Sequence, residues 1–121
     1  MSNPLSDMEK PDVIFCIGTN MTEAHPVAAT RLKKAIARGA KLIVADPRRI
    51  RLAEMADLYL PIRVGSDVAL LLGMAHVIAR EGLYDMDFMA ARTEGFEEFL
   101  DHVGQFTPTW AAGITGVIKV I

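Results

Sequence analysis

The chain has 121 residues, 51% of them apolar, and 13 basic side chains against 15 acidic ones give a net charge of −2. That size and composition suit one domain around a single core, and no global field draws the chain to DNA, RNA or an anionic membrane. The one cysteine, Cys16, excludes an internal disulfide and any zinc or iron–sulfur centre held by a cysteine cluster.

The first ten residues, "MSNPLSDMEK", are polar and acidic and do not read as a secretory leader. Residues 1–11 are set apart as an N-terminal extension, and 12–121 are expected to form the domain. Residues 12–18, "DVIFCIG", are a nearly unbroken apolar run, the pattern of a strand covered on both faces. Residues 19–25, "TNMTEAH", read as a polar loop. Pro26 suits the first turn of a helix, where its missing N–H costs nothing. Ala28, Leu32, Ala35 and Ile36 share one face of that helix and the basic residues take the other. Gly39 is placed to end it.

"KLIVAD" is the second strand, "RIRLAEMA" a short helix and "DLYLPI" a third strand closed by Pro61. "RVGSD" is a turn in which Ser66 or Asp67 can cap the next helix, "VALLLGMAHVIAREG". That helix is apolar almost all round, so it is expected to be buried, with Gly82 ending it. Two acidic helices follow near 85–92 and 94–104, and Thr107 and Pro108 can start one more. The final residues are apolar and uncapped, as in a chain cut from something longer. Residues 31–51 are strongly basic and 81–101 strongly acidic, which suits two solvated helix faces of opposite sign or a basic rim facing an anion.

Strands alternating with helices predict an α/β fold: a Rossmann-like, three-layer αβα arrangement with a parallel sheet and a helical C-terminal part. Ligands of such sheets bind beyond the carboxyl ends of the strands, so the loops after the three strands are the places to look. The first, "GTNMTEAHP", lacks the second and third glycines of a dinucleotide fingerprint and carries Asn20 and Glu23 instead. Ordinary NAD binding is therefore disfavoured. Asn20 and Glu23 offer an amide and a carboxylate for hydroxyls or an amine-rich ring, or Thr22 and Glu23 simply cap a helix. Asp46 ends the second strand, where Rossmann-like domains set an acid against ribose hydroxyls. The alternative there is a plain Asp-Pro turn. Arg48 and Arg49 can hold phosphate through paired N–H donors, or be solvated. Gly65 permits close backbone approach, and the Asp67 carboxylate matches the paired N–H donors of a guanine edge unless it caps the helix. His25, His76 and His102 are scattered and have no metal-like spacing. No catalytic triad, paired-carboxylate site or phosphate-gripping Gly-rich loop is visible.

Read together, "IGTNMTEAHP", "KLIVADPRR", "AEMADLYLPIRVGSDVALLLGMAHVI" and "EGLYDMDFMAARTEGFEEF" resemble the catalytic subunit of molybdopterin-dependent formate dehydrogenases, within the molybdopterin oxidoreductase superfamily. The resemblance implies a domain that binds one molybdopterin guanine dinucleotide of a bis-molybdopterin centre. Gly18, Asn20 and Glu23 would line the nucleotide, Asp46, Pro47 and Arg48 would hold its ribose and phosphate, and Gly65 and Asp67 would approach the guanine. The whole subunit would oxidise formate to carbon dioxide at molybdenum or tungsten and pass electrons through an iron–sulfur cluster to partner subunits. This chain holds no counterpart of the family's cysteine motif, its metal-ligating selenocysteine or cysteine, or the histidine beside it. It is therefore expected to contribute cofactor binding and no catalytic residue, and to lack activity alone. Its expected partners are the remaining domains and the iron–sulfur subunits, with no nucleic acid and no direct membrane contact, in the cytoplasm rather than the periplasm. Two alternatives are a molybdopterin-fold scaffold domain without cofactor and a free-standing nucleotide-binding module.

Overall fold

A computed structural model describes residues 4–117. The apolar end predicted for the chain falls partly on 118–121, outside the described residues. The chain packs as two compact units, Met1–Pro61 and Ile62–Ile121, and each is described by itself.

The first unit carries a parallel sheet of three strands in the order β1-β2-β3, with β1 at Val13–Ile17, β2 at Lys41–Ala45 and β3 at Leu58–Leu60. Val13 pairs with Lys41 and Ile17 with Ala45; Ile43 pairs with Leu58 and Ala45 with Leu60. A parallel neighbour needs a crossover, and helices supply both. Helix α2, Pro26–Ala37, joins β1 to β2, and α3, Arg51–Met55, joins β2 to β3. Cys16, Leu42 and Val44 of the sheet cluster with Leu32 of α2 and Leu52 and Ala53 of α3. This apolar layer is what the 3.6-residue pattern of α2 encodes. The α/β class and parallel sheet expected from the sequence are both present.

One local feature differs from the sequence reading. The segment 19–25, expected as loop, contains a one-turn helix, α1, Met21–Ala24. The Asn20 carbonyl accepts from the Glu23 and Ala24 amides at 3.1 and 2.9 Å, and a single turn of this kind has no apolar period to betray it. Within residues 1–11, set apart as an N-terminal extension, one segment is helical. Leu5–Glu9 form a 3-10 helix against α2, and the Arg31 guanidinium donates to the Glu9 carboxylate and holds its pKa below the usual value. Elsewhere, Asp57 stitches the start of β2 to the approach of β3. Its carboxylate accepts from the Leu42 amide and the Lys41 ammonium, each at 2.9 Å, and both bonds lower its pKa.

The second unit is helical: α4 at Asp67–Glu81, α5 at Met86–Arg92, α6 at Phe96–Val103 and α7 at Pro108–Thr115. Gly82 and Thr107 mark helix ends as the sequence suggests, and Asp85 supplies a further cap. Asp85 accepts from the Phe88 amide, Thr107 accepts from the Trp110 amide, and Gly82 closes α4 in the left-handed conformation. Helix α4 is not buried all round. Its Ala69, Leu70 and Gly73 are buried, whereas Val68 and Leu71 are 68% and 45% exposed. Within this unit α4 packs against α6 and α7. At the α4–α7 crossing Gly73 meets Ala111 so closely that a Cβ on the glycine would lie 2.6 Å from the alanine Cβ.

Candidate functional site

In the first unit the loops after β1 and β2 lie side by side. The Gly18 N–H donates to the Ala45 carbonyl at 3.0 Å, one ladder bond beyond the paired strands. Gly18 has φ +57, and nothing stands within 4 Å of where its Cβ would be. Backbone with open space beside it is what close approach of a ligand needs. The Asn20 side-chain oxygen accepts from the Thr22 hydroxyl at 3.0 Å. That side chain caps no helix amide, and neither α1 nor α2 has a side-chain cap bond, so the alternative in which Thr22 and Glu23 cap a helix is not formed. The Asn20 amide nitrogen and the Glu23 carboxylate have no hydrogen-bond partner among the described residues.

Asp46 is 6% exposed and heavily tied. Its N–H donates to the Leu60 carbonyl at 3.2 Å, and its carbonyl accepts from the Tyr59 hydroxyl at 3.0 Å. Its Oδ1 accepts from the Arg48 N–H at 2.8 Å, closing the turn around Pro47. The Asp-Pro turn foreseen as the plain alternative is therefore real. It uses one carboxylate oxygen; Oδ2 takes no hydrogen bond among the described residues, so turn and ligand need not compete. Pro47, Arg48 and Arg49 are exposed. Asp46→Ala should cost about 1 kcal/mol of stability by freeing the Arg48 N–H. Asp46→Asn, which retains an acceptor, should stay within about 0.5 kcal/mol. Urea denaturation of both variants checks this, and equal losses would show that the charge and not the acceptor holds the turn.

In the second unit Gly65 has φ +78, again with nothing within 4 Å of its missing Cβ. Ser66 stands at the cap position of α4 but does not cap it. Its hydroxyl donates to the Arg63 carbonyl at 2.6 Å instead. Asp67 opens α4, and its carboxylate has no hydrogen-bond partner among the described residues. The eight candidates thus fall into two groups: Gly18, Asn20, Glu23, Asp46, Pro47 and Arg48 on the first unit's loops, Gly65 and Asp67 on the second unit's.

Two residues that anchor these loops escaped the sequence reading. Tyr59 holds the Asp46 carbonyl, and Arg63 holds the Gly65 turn. Only three-dimensional pairing reveals them, since a tyrosine in a strand and an arginine before a turn are ordinary. Other chemistry-bearing groups are accounted for structurally. Cys16 is buried, which pushes its thiol pKa up and leaves it inert. His76 Nδ1 lies 3.0 Å from the Val103 carbonyl, and His102 packs edge-on against Phe106. Among the described residues no three His, Cys, Asp or Glu side chains gather to hold a metal, and no helix is long and apolar enough to cross a membrane.

Comparison with known proteins matches residues 1–107 to the molybdopterin oxidoreductase family. The chain is 44% identical to formate dehydrogenase H of Escherichia coli over 97% of its own length and 16% of that protein's. It is likewise 44% identical to the alpha subunit of the F420-dependent formate dehydrogenase of Methanocaldococcus jannaschii, over 98% of this chain and 18% of that one. Among solved structures, acetylene hydratase from Pelobacter acetylenicus superposes with a TM-score of 0.82 at 45% identity, over 88% of this chain and 15% of the other. The chain therefore spans less than a fifth of the relatives it matches.

Proposed function

The chain belongs to the molybdopterin oxidoreductase family, and from that premise we propose that it is the nucleotide-binding part of a formate dehydrogenase catalytic subunit. In support of that reading, the formate dehydrogenases are matched over 97% and 98% of this chain, against 88% for the acetylene hydratase, whose identity is no lower. The observation that carries the binding role is Asp46, a buried carboxylate at the carboxyl end of a parallel strand with one oxygen committed to its turn and one left over. Such an oxygen suits a ribose hydroxyl.

Each unit's donors, taken separately, suit part of a guanine dinucleotide. Asp67 and Glu23 are acceptors for N–H groups, Arg48 and Arg49 are cations for phosphate, and Gly18 and Gly65 leave backbone open for approach. Gly18, Asn20 and Glu23 would line the nucleotide, Asp46, Pro47 and Arg48 would hold ribose and phosphate, and Gly65 and Asp67 would face the base. When bound, the molybdenum or tungsten pterin supplies the redox chemistry that takes formate to carbon dioxide. This chain's residues bind and orient it, and contribute no acid, base or metal ligand. The iron–sulfur cluster, the remaining domains and the electron-transfer subunits lie elsewhere in the full assembly.

Calorimetric titration of the 121-residue chain with GDP and ADP tests this reading. GDP is expected to bind with a dissociation constant of roughly 1 mM or below, and at least about fivefold more tightly than ADP. Equal affinities, or no heat at millimolar GDP, would remove the guanine assignment.

A further inference from the structure

We propose that Arg63 is a positioning residue for the Gly65–Asp67 loop, locking it to the end of α7 so that the loop is preset for its base. The inference rests on the guanine role given above to Gly65 and Asp67, and adds the residue that holds them in place.

The bonds that fix this turn converge on one residue. The Arg63 N–H donates to the Thr115 carbonyl at 2.9 Å, tying the loop's entry to the last residue of α7. Its guanidinium Nη1 donates to the Gly113 carbonyl at 3.0 Å and reaches the Ile114 carbonyl at 3.4 Å. These carbonyls belong to the last turn of the helix, which has no further turn to bond and carries the negative end of the dipole. From the other side the Arg63 carbonyl accepts both the Ser66 N–H, at 3.2 Å, and the Ser66 hydroxyl, at 2.6 Å. The Ser66 carbonyl in turn accepts from the Leu70 amide inside α4. A continuous chain of bonds thus runs from α7 through Arg63 across the turn and into α4.

The far end of that chain is closely fitted. Gly116 has φ +77, and a Cβ there would stand 3.2 Å from Arg63 Nε. Thr115 is fully buried; its hydroxyl donates to the Ala111 carbonyl and accepts from the Val117 amide. The arginine therefore lies against backbone held from both sides. Between its anchors the loop leaves Gly65 open and the Asp67 carboxylate free of hydrogen bonds among the described residues. A loop fixed at its ends and free at its tip loses little conformational entropy on binding.

The test is calorimetric titration of GDP into the parent chain, Arg63→Met and Arg63→Lys, with Trp110 fluorescence melts of each. Methionine keeps much of the alkyl stem and loses the fork. Arg63→Met is expected to weaken GDP binding about tenfold, and Arg63→Lys, which retains the charge but cannot bridge two carbonyls, about threefold. A purely structural arginine would lower the melting temperature and the fraction of chains that bind, and leave the dissociation constant of the folded fraction unchanged. An unchanged constant in Arg63→Met overturns the positioning role and leaves the guanine reading standing. If Arg63→Met does not fold, Arg63→Lys decides in the same way. A parent chain that binds no GDP removes both readings together.

Discussion

Leu32→Ala should lower the stability of the first unit by about 3 kcal/mol. Leu32 is fully buried and points from α2 into the cluster of Cys16, Leu42, Val44, Leu52 and Ala53. Truncation removes three carbons from that layer and leaves a cavity. On the sheet side the neighbours belong to hydrogen-bonded strands, which relax little to fill it. In urea the shift in midpoint should be about 2 M, at a slope near 1.5 kcal/mol per molar, read by far-ultraviolet circular dichroism. Ile36, one turn further along the same helix but only partly buried, is the internal control and should cost clearly less when changed to alanine. Equal costs would mean that the α2–sheet layer is not packed as described.

Gly73→Val should have an effect of similar size on the second unit, about 3 kcal/mol. Two opposing terms decide its sign. A side chain in mid-helix gains up to about 1 kcal/mol of propensity over glycine, less for a β-branched residue. Against this, the 2.6 Å approach to the Ala111 Cβ is about 1 Å inside an ordinary carbon–carbon contact. The obstructing atom is attached directly to the backbone of α7, so only a separation of the two helices relieves it. The steric term wins. Trp110 is the chain's one tryptophan and neighbours Ala111, so its fluorescence reports the crossing. Combining Gly73→Ala with Ala111→Gly moves the methyl from one helix to the other and should recover most of the loss caused by Gly73→Ala alone. Failure of that exchange would place the strain elsewhere.

The elements that were legible in the sequence share a physical cause. Strand β2 is largely buried in a parallel sheet, so it reads as an unbroken apolar run; β1 reads the same way, yet it is an edge strand with only Cys16 buried and not covered on both faces as expected; and α2 shows its buried face at helical spacing. Glycines and prolines marked most ends correctly because their backbone preferences are local. Features set by distant partners were not legible. Helix α4 reads as buried on every side because composition records how apolar it is, and not how many helices of its own unit cover it. Ser66 has the residue type of a cap, yet its hydroxyl turns to the Arg63 carbonyl. At the site, Asp46 was visible through its place at a strand end, while Tyr59 and Arg63 act across 13 and 50 residues of chain and had no local signature.

The strand order carries a consequence for how the molecule is made. Each strand of the sheet pairs with the one synthesised just before it, so every ladder bond has its partner available once Leu60 has left the ribosome. A chain emerging from its N-terminus can thus assemble the sheet in the order of translation. The turn at Gly65 is different. Its lock on the Thr115 carbonyl cannot close until α7 has been made, which places the setting of that loop after the sheet.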